Sequence, residues 1–185
     1  MKKTLIVVVA LLLSASLGYA ATVTATGTTT LSLTVSNEAN IAVTTSTTTL
    51  SSGNTTFSDY TGTTNYKYQI RTSSGGTGGS VTLKVTADFS DGSLGKPSVG
   101  SPPTGGDLLT FTCTAAVGTA CASAQTASTT VDATAITFGI NAHAGAPGNV
   151  SANGANGSVV WNFTNDPIYP TGPYSATVTF TISAT

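Results

Sequence analysis

The chain has 185 residues, and only 7% of them are charged, six Lys plus Arg against seven Asp plus Glu. Soluble domains usually carry ~25% charged residues. A surface this sparse holds no basic patch to neutralise phosphates, so nucleic acid is not an expected partner.

Lys2 and Lys3 precede an apolar run from Thr4 to Leu13, and small residues fill Ser14 to Ala20. A basic start, a short apolar stretch and a small-residue cut site describe a secretion signal. The run is shorter than the ~20 apolar residues that span a bilayer. Cleavage is expected after Ala20. That gives a signal peptide at 1–20 and a single domain at 21–185, with no membrane span after cleavage. Neither cysteine stands at the cut to carry a lipid anchor. Cleavage removes two of the six cations and leaves four against seven acidic groups, a net of −3. The mature length suits one domain with a real core.

Downstream, apolar residues recur with a period of two, the signature of half-buried strands. Odd positions from Val23 through Leu31 and Leu33 to Val35 predict a first strand. Asn37 to Asn40 is a turn by composition, and Ile41 and Val43 open a second strand. Thr44 to Thr64 reads as one weak strand plus loops around Leu50, Phe57 and Tyr60. Asn65 to Thr72 is the clearest strand. Tyr66, Tyr68 and Ile70 share one face; Lys67, Gln69 and Arg71 share the other. After the Gly/Ser turn at Ser73 to Gly79, Val81, Leu83, Val85 and Ala87 alternate again. These two strands are expected to form an antiparallel hairpin.

Asp88 to Asp107 reads as a loop, followed by a strand at Leu109, Phe111 and Cys113. Ile136, Phe138 and Ile140 form another. Asn141 to Gly157 reads as a loop. Val159, Trp161 and Phe163 follow, then the Pro-punctuated stretch from Asp166 to Pro173. Tyr174, Ala176, Val178, Phe180 and Ile182 alternate to give a last strand, expected inside a sheet with that row buried. The count predicts an all-β fold, an immunoglobulin-like antiparallel β-sandwich of roughly eight to ten strands.

Chemistry has few places to reside. Cys113 and Cys121 are the only cysteines; an even count in an exported chain predicts a disulfide between them. His143 is the only histidine and sits in a Gly/Ala-rich loop. One histidine cannot supply a catalytic zinc with its usual three protein ligands. No Gly-x-Ser-x-Gly elbow is present to mark a hydrolase. Asp88, Asp91 and Asp107 bracket a loop that lacks the spacing of an EF-hand, so they read as turn formers. No catalytic residue, metal or cofactor is expected. Trp161 shares a face with Val159 and Phe163 and reads as core, as do Tyr66 and Tyr68. Tyr169, between Pro167 and Pro170, is the candidate exposed aromatic.

Gly172-Pro173-Tyr174-Ser175-Ala176-Thr177-Val178-Thr179-Phe180 resembles the closing strand of bacterial pilin-like sandwiches of the spore-coat-U type and of archaic chaperone–usher subunits. It is also similar to the tyrosine corner of immunoglobulin-like domains, in which the Tyr hydroxyl bonds nearby backbone. Val160-Trp161-Asn162-Phe163 with Pro167 is similar to Gram-positive surface domains that carry a Trp-x-Leu motif, with Phe replacing Leu. The pilin resemblance implies polymerisation by strand donation, with Ala21 to Val35 as the donor. The expected function is therefore a secreted, non-catalytic structural or adhesive surface protein, a pilin-like subunit. A carbohydrate- or ligand-binding extracellular module, served by loop aromatics such as Tyr169, is the alternative. Expected partners are other copies or other envelope proteins. Mass spectrometry of protein recovered from the envelope or medium should show a chain starting at Ala21; an intact Met1 on cytosolic protein would refute export.

Overall fold

The computed structural model describes residues 25–185 apart from Asn54. The expected signal peptide and its cut lie outside the described residues, as do the first residues of the expected N-terminal strand. Contacts divide the chain after Thr34, and the sandwich is the unit Val35–Thr185.

Eleven strands are present among the described residues: β1 (Glu38–Val43), β2 (Ser51–Ser52), β3 (Tyr60–Arg71), β4 (Gly79–Ala87), β5 (Leu109–Ala115), β6 (Thr119–Ala120), β7 (Gln125–Thr126), β8 (Ala133–Phe138), β9 (His143–Ala144), β10 (Ala155–Phe163) and β11 (Thr177–Ala184). They form two antiparallel sheets. The larger runs β1-β3-β10-β5-β7, with β2 and β9 also on β3; the smaller runs β11-β4-β8-β6. The all-β sandwich expected from the alternation is therefore the fold, and four two-residue strands raise the count above ten. Among the described residues no helix is long and apolar enough to cross a membrane.

β3 is the centre of the larger sheet. β10 pairs along Tyr60 to Tyr68, and β1 pairs along Tyr66 to Arg71 on the other side. The core lies between the sheets. Tyr66, Tyr68 and Ile70 of β3 bury with Val81, Leu83 and Val85 of β4, Phe111 of β5, Phe138 of β8 and Trp161 of β10. Aromatic contacts tie one sheet to the other: Tyr66 lies 5.2 Å from Phe180, and Tyr68 lies 5.4 Å from Phe138. Gly157 of β10 makes the first of these rows possible, since a Cβ there would fall 2.5 Å from the Tyr66 ring.

Four sequence expectations change. The segment 72–78 does not close a hairpin. β3 and β4 lie in different sheets, and β4 pairs with β11 and β8 instead. Two strands with long apolar rows bury more by stacking face to face than by lying side by side, and the connection exceeds the usual two-residue hairpin loop. Residues 25–37 form no strand, and Leu31 and Leu33 are 92% and 86% exposed. Alternation states which side chains could be buried together; it does not supply the partner strand. β1 instead starts within the expected turn at Asn37 to Asn40, where Glu38 pairs with Arg71 at 2.8 Å. The expected loop from Asn141 to Gly157 contains β9 and one helical turn, α1 (Val150–Asn153), capped by the Asn149 side chain accepting from the Ser151 N–H.

One flank of the sandwich is stapled. Cys113 of β5 is disulfide-bonded to Cys121, just beyond β6, so the bond spans the turn that carries the chain from the larger sheet to the smaller. Closing a loop of this size contributes about 2.5 kcal/mol on a chain-entropy estimate. Tyr68 grips the same turn: its hydroxyl donates to the Val117 carbonyl at 2.6 Å and accepts from the Val117 N–H at 3.0 Å. The Tyr66 hydroxyl is buried with no partner. These neighbours should therefore respond oppositely to removal of one oxygen. Tyr68→Phe should cost about 1–2 kcal/mol in urea unfolding, whereas Tyr66→Phe should be neutral or stabilising. Equal losses in the two variants would contradict this assignment of partners.

Candidate functional site

The flank opposite the disulfide is open. Among the described residues β11 pairs only with β4, along Thr177 to Ala184, and β1 pairs only with β3. The two edge strands approach within 8 Å between Cα atoms but share no hydrogen-bond ladder. The strand expected inside a sheet is thus an edge. Its inward residues Val178, Phe180 and Ile182 rest on the core yet are only half-buried. The reason is geometric: among the described residues β4 pairs with one edge of β11, whereas β1 approaches the strand without pairing to its other edge. β11 opens as its sequence suggests, because the Tyr174 hydroxyl donates to the Pro170 carbonyl at 3.0 Å and fixes the preceding turn.

Natural edge strands usually carry Lys, Pro, bulges or inward charges that discourage pairing. β11 reads Thr-Val-Thr-Phe-Thr-Ile-Ser-Ala, with no charge and no proline. Its one irregularity lies between Thr177 and Val178. The outer face is held by hydroxyl pairs rather than ions: Thr86 to Thr179 at 3.0 Å and Ser80 to Ser183 at 3.2 Å.

The residues singled out from the sequence scatter. Trp161 is buried, 4% exposed, and its Nε1 donates to Thr64 Oγ1 at 2.8 Å. His143 is exposed and shares a hollow with Glu38 and Arg71, which pair with each other. Tyr169 is half-buried rather than free in a loop. Its ring lies near-parallel to Phe163, 5.9 Å away, and its hydroxyl donates to Asp107 Oδ2 at 2.7 Å. Burial and this anionic acceptor both push the Tyr169 hydroxyl above its ordinary value. Asp107 is only 3% exposed, so the bond supplies a partner that a buried carboxylate requires. Among the described residues no three His, Cys, Asp or Glu side chains gather as a metal site.

Asp88 organises the long loop after β4. Its carboxylate accepts from the N–H groups of Phe89, Val99 and Gly100 and from the Ser98 hydroxyl, all within 2.7–2.8 Å. A turn-forming Asp is legible in the sequence; the reach of its partners, up to twelve residues along, is set by the fold. No known protein family, curated protein or solved structure matches the chain. What can be stated of its class is therefore an all-β sandwich with one disulfide, closed at one flank and open at the other.

Burial raises the Asp88 carboxyl, but its four donors outweigh that and hold it below its ordinary value. A carboxyl lowered on folding contributes stability above its unfolded pKa and loses it as pH falls through the folded one. Melting temperature should therefore drop below about pH 4, and the acid limb should be shallower in Asp88→Asn than in the wild type. At neutral pH Asp88→Ala should cost about 2 kcal/mol, through the donors left unpaired. Parallel acid limbs in wild type and Asp88→Asn would remove Asp88 as their cause.

Proposed function

We propose that this protein is a secreted structural or adhesive surface subunit with pilin-like assembly, in which residues 21–35 of one copy add as a strand to the free edge of β11 in another. The observation that carries the reading is the pairing of two incomplete elements. β11 has an unguarded edge and a half-buried apolar row. Residues 25–35 alternate, form no strand, and expose Leu31, Leu33 and Val35. Their spacing of two residues matches that of Val178, Phe180 and Ile182, so one register would bring both rows to the same face.

Strand addition supplies affinity through main-chain hydrogen bonds and specificity through alternate side chains. It also extends a sheet without charged contacts, which suits a chain with 7% charged residues. Export is consistent with the disulfide and with the secretion signal in the sequence.

Negative-stain microscopy of the mature chain should show filaments, and deletion of residues 21–35 should abolish them. A second measurement does not depend on spontaneous assembly. A synthetic peptide of residues 21–35, at a hundredfold excess over its Kd, should raise the melting temperature of the deleted protein by about 5–10 °C. A Leu33→Asp peptide should leave it unchanged. If the wild-type peptide also has no effect, strand addition is rejected.

A further inference from the structure

A second feature lies apart from the β11 ladder, at the end of the sandwich where β3 and β11 begin and β4 and β10 finish. Here three connections converge on a hollow of about 400 Å³. That is within the ~300–1,000 Å³ range of small-molecule sites. Phe57 comes from the segment between β2 and β3, Tyr60 from the start of β3, Phe89 from beyond β4, and Tyr169 and Tyr174 from the segment between β10 and β11. We propose that this hollow is a saccharide-binding site, with Phe57 and Tyr169 as stacking platforms and Asn165 and Asp166 as hydrogen-bonding groups.

Phe57 is the most telling residue. It is 57% exposed, and its backbone is left-handed, with φ of 57°. Bulky side chains seldom adopt that conformation, and such strain concentrates at functional sites. The turn, closed by the Ser58 N–H donating to the Thr55 carbonyl, would be met more easily by Gly or Asn. A phenyl ring held there at the lip of an aromatic hollow is available for contact. Tyr169 is the opposite case. Its ring is backed by Phe163, and its hydroxyl is fixed on Asp107, so it is a rigid surface.

The polar groups select the ligand class. Asn165 donates one amide hydrogen to the Ser58 carbonyl at 3.0 Å, and the amide has a second hydrogen and an oxygen. Asp166 accepts from Thr104 Oγ1 at 2.7 Å and from the Ile168 N–H at 2.9 Å, and each oxygen retains a further lone pair. Among the described residues no Lys, Arg or His lines the hollow, which disfavours phosphate, sulfate and carboxylate ligands. Flat rings beside neutral and anionic acceptors suit a sugar, whose C–H face stacks while its hydroxyls donate. A quaternary ammonium is the competing chemistry, recognised by rings alone. The amide and the fixed platform favour the sugar.

The inference stands independently of strand addition and would give an assembled surface a receptor. It is tested by isothermal titration calorimetry of the mature protein with cello-, chito-, malto- and galacto-oligosaccharides, and with choline chloride. One sugar series should bind; Phe57→Ala should weaken it about five- to tenfold without lowering the melting temperature, and Asn165→Ala should weaken it by a similar factor. Leu33→Asp, outside the hollow, should bind that sugar like the wild type even if it forms no filaments, so the two readings fail separately. The proposal is overturned if no sugar binds at about 10 mM. Choline binding in place of sugar, or sugar binding unaffected by both hollow variants, would overturn it equally.

Discussion

The structure depends on the stacking of β3 on the smaller sheet. Tyr66, Tyr68 and Ile70 project from one face of β3 and meet Phe180, Phe138 and the β4 row. Burial of large apolar and aromatic side chains is the main favourable term available to a chain with so few charges. It fixes which faces turn inward on both sheets, because a one-residue slip of either would expose its row. Everything else is arranged around that contact. The turn from β5 to β6 is gripped by Tyr68 and closed by the disulfide, and the opposite flank is left with two edge strands that do not pair with each other.

That asymmetry has a physical consequence. Here a covalent bond resists opening on one side, while β11 lies half-covered on the other. The outward faces near it carry threonine and serine in hydroxyl pairs such as Thr86 with Thr179, a cross-strand pairing that favours the ladder without long-range repulsion. The same faces keep the protein polar without the charges that normally guard an edge. The chain thus combines a buried aromatic interior with an uncharged edge strand.

Much of the fold was legible because side-chain periodicity directly encodes burial. The rows at Tyr66 to Ile70, Val81 to Val85 and Val159 to Phe163 are buried as their alternation predicts. In β8, by contrast, Ala135 and Ile136 are both buried, because a bulge opposite Val81 and Thr82 places two consecutive residues inward. No period-two reading anticipates this. Tyr169 was visible as a loop aromatic between prolines, but its bond to Asp107 joins positions 62 residues apart. Phe57 stands in a Thr-rich stretch with no pattern to mark it, and its place at the lip of the hollow goes with a backbone conformation that composition does not reveal.

By itself the sequence determined the strand character of the chain, the inward face of most strands, the pairing of its two cysteines and the turn at Tyr174. Each is local or forced by count: alternation spans a few residues, and two cysteines admit one pairing. The tertiary structure alone decided that β3 and β4 face each other rather than form a hairpin, that β11 is an edge, and that three distant connections share one aromatic hollow. Those are matters of which surface lies beside which. They depend on how much apolar area each arrangement buries, and that sum is taken over the whole sandwich rather than over any segment of it.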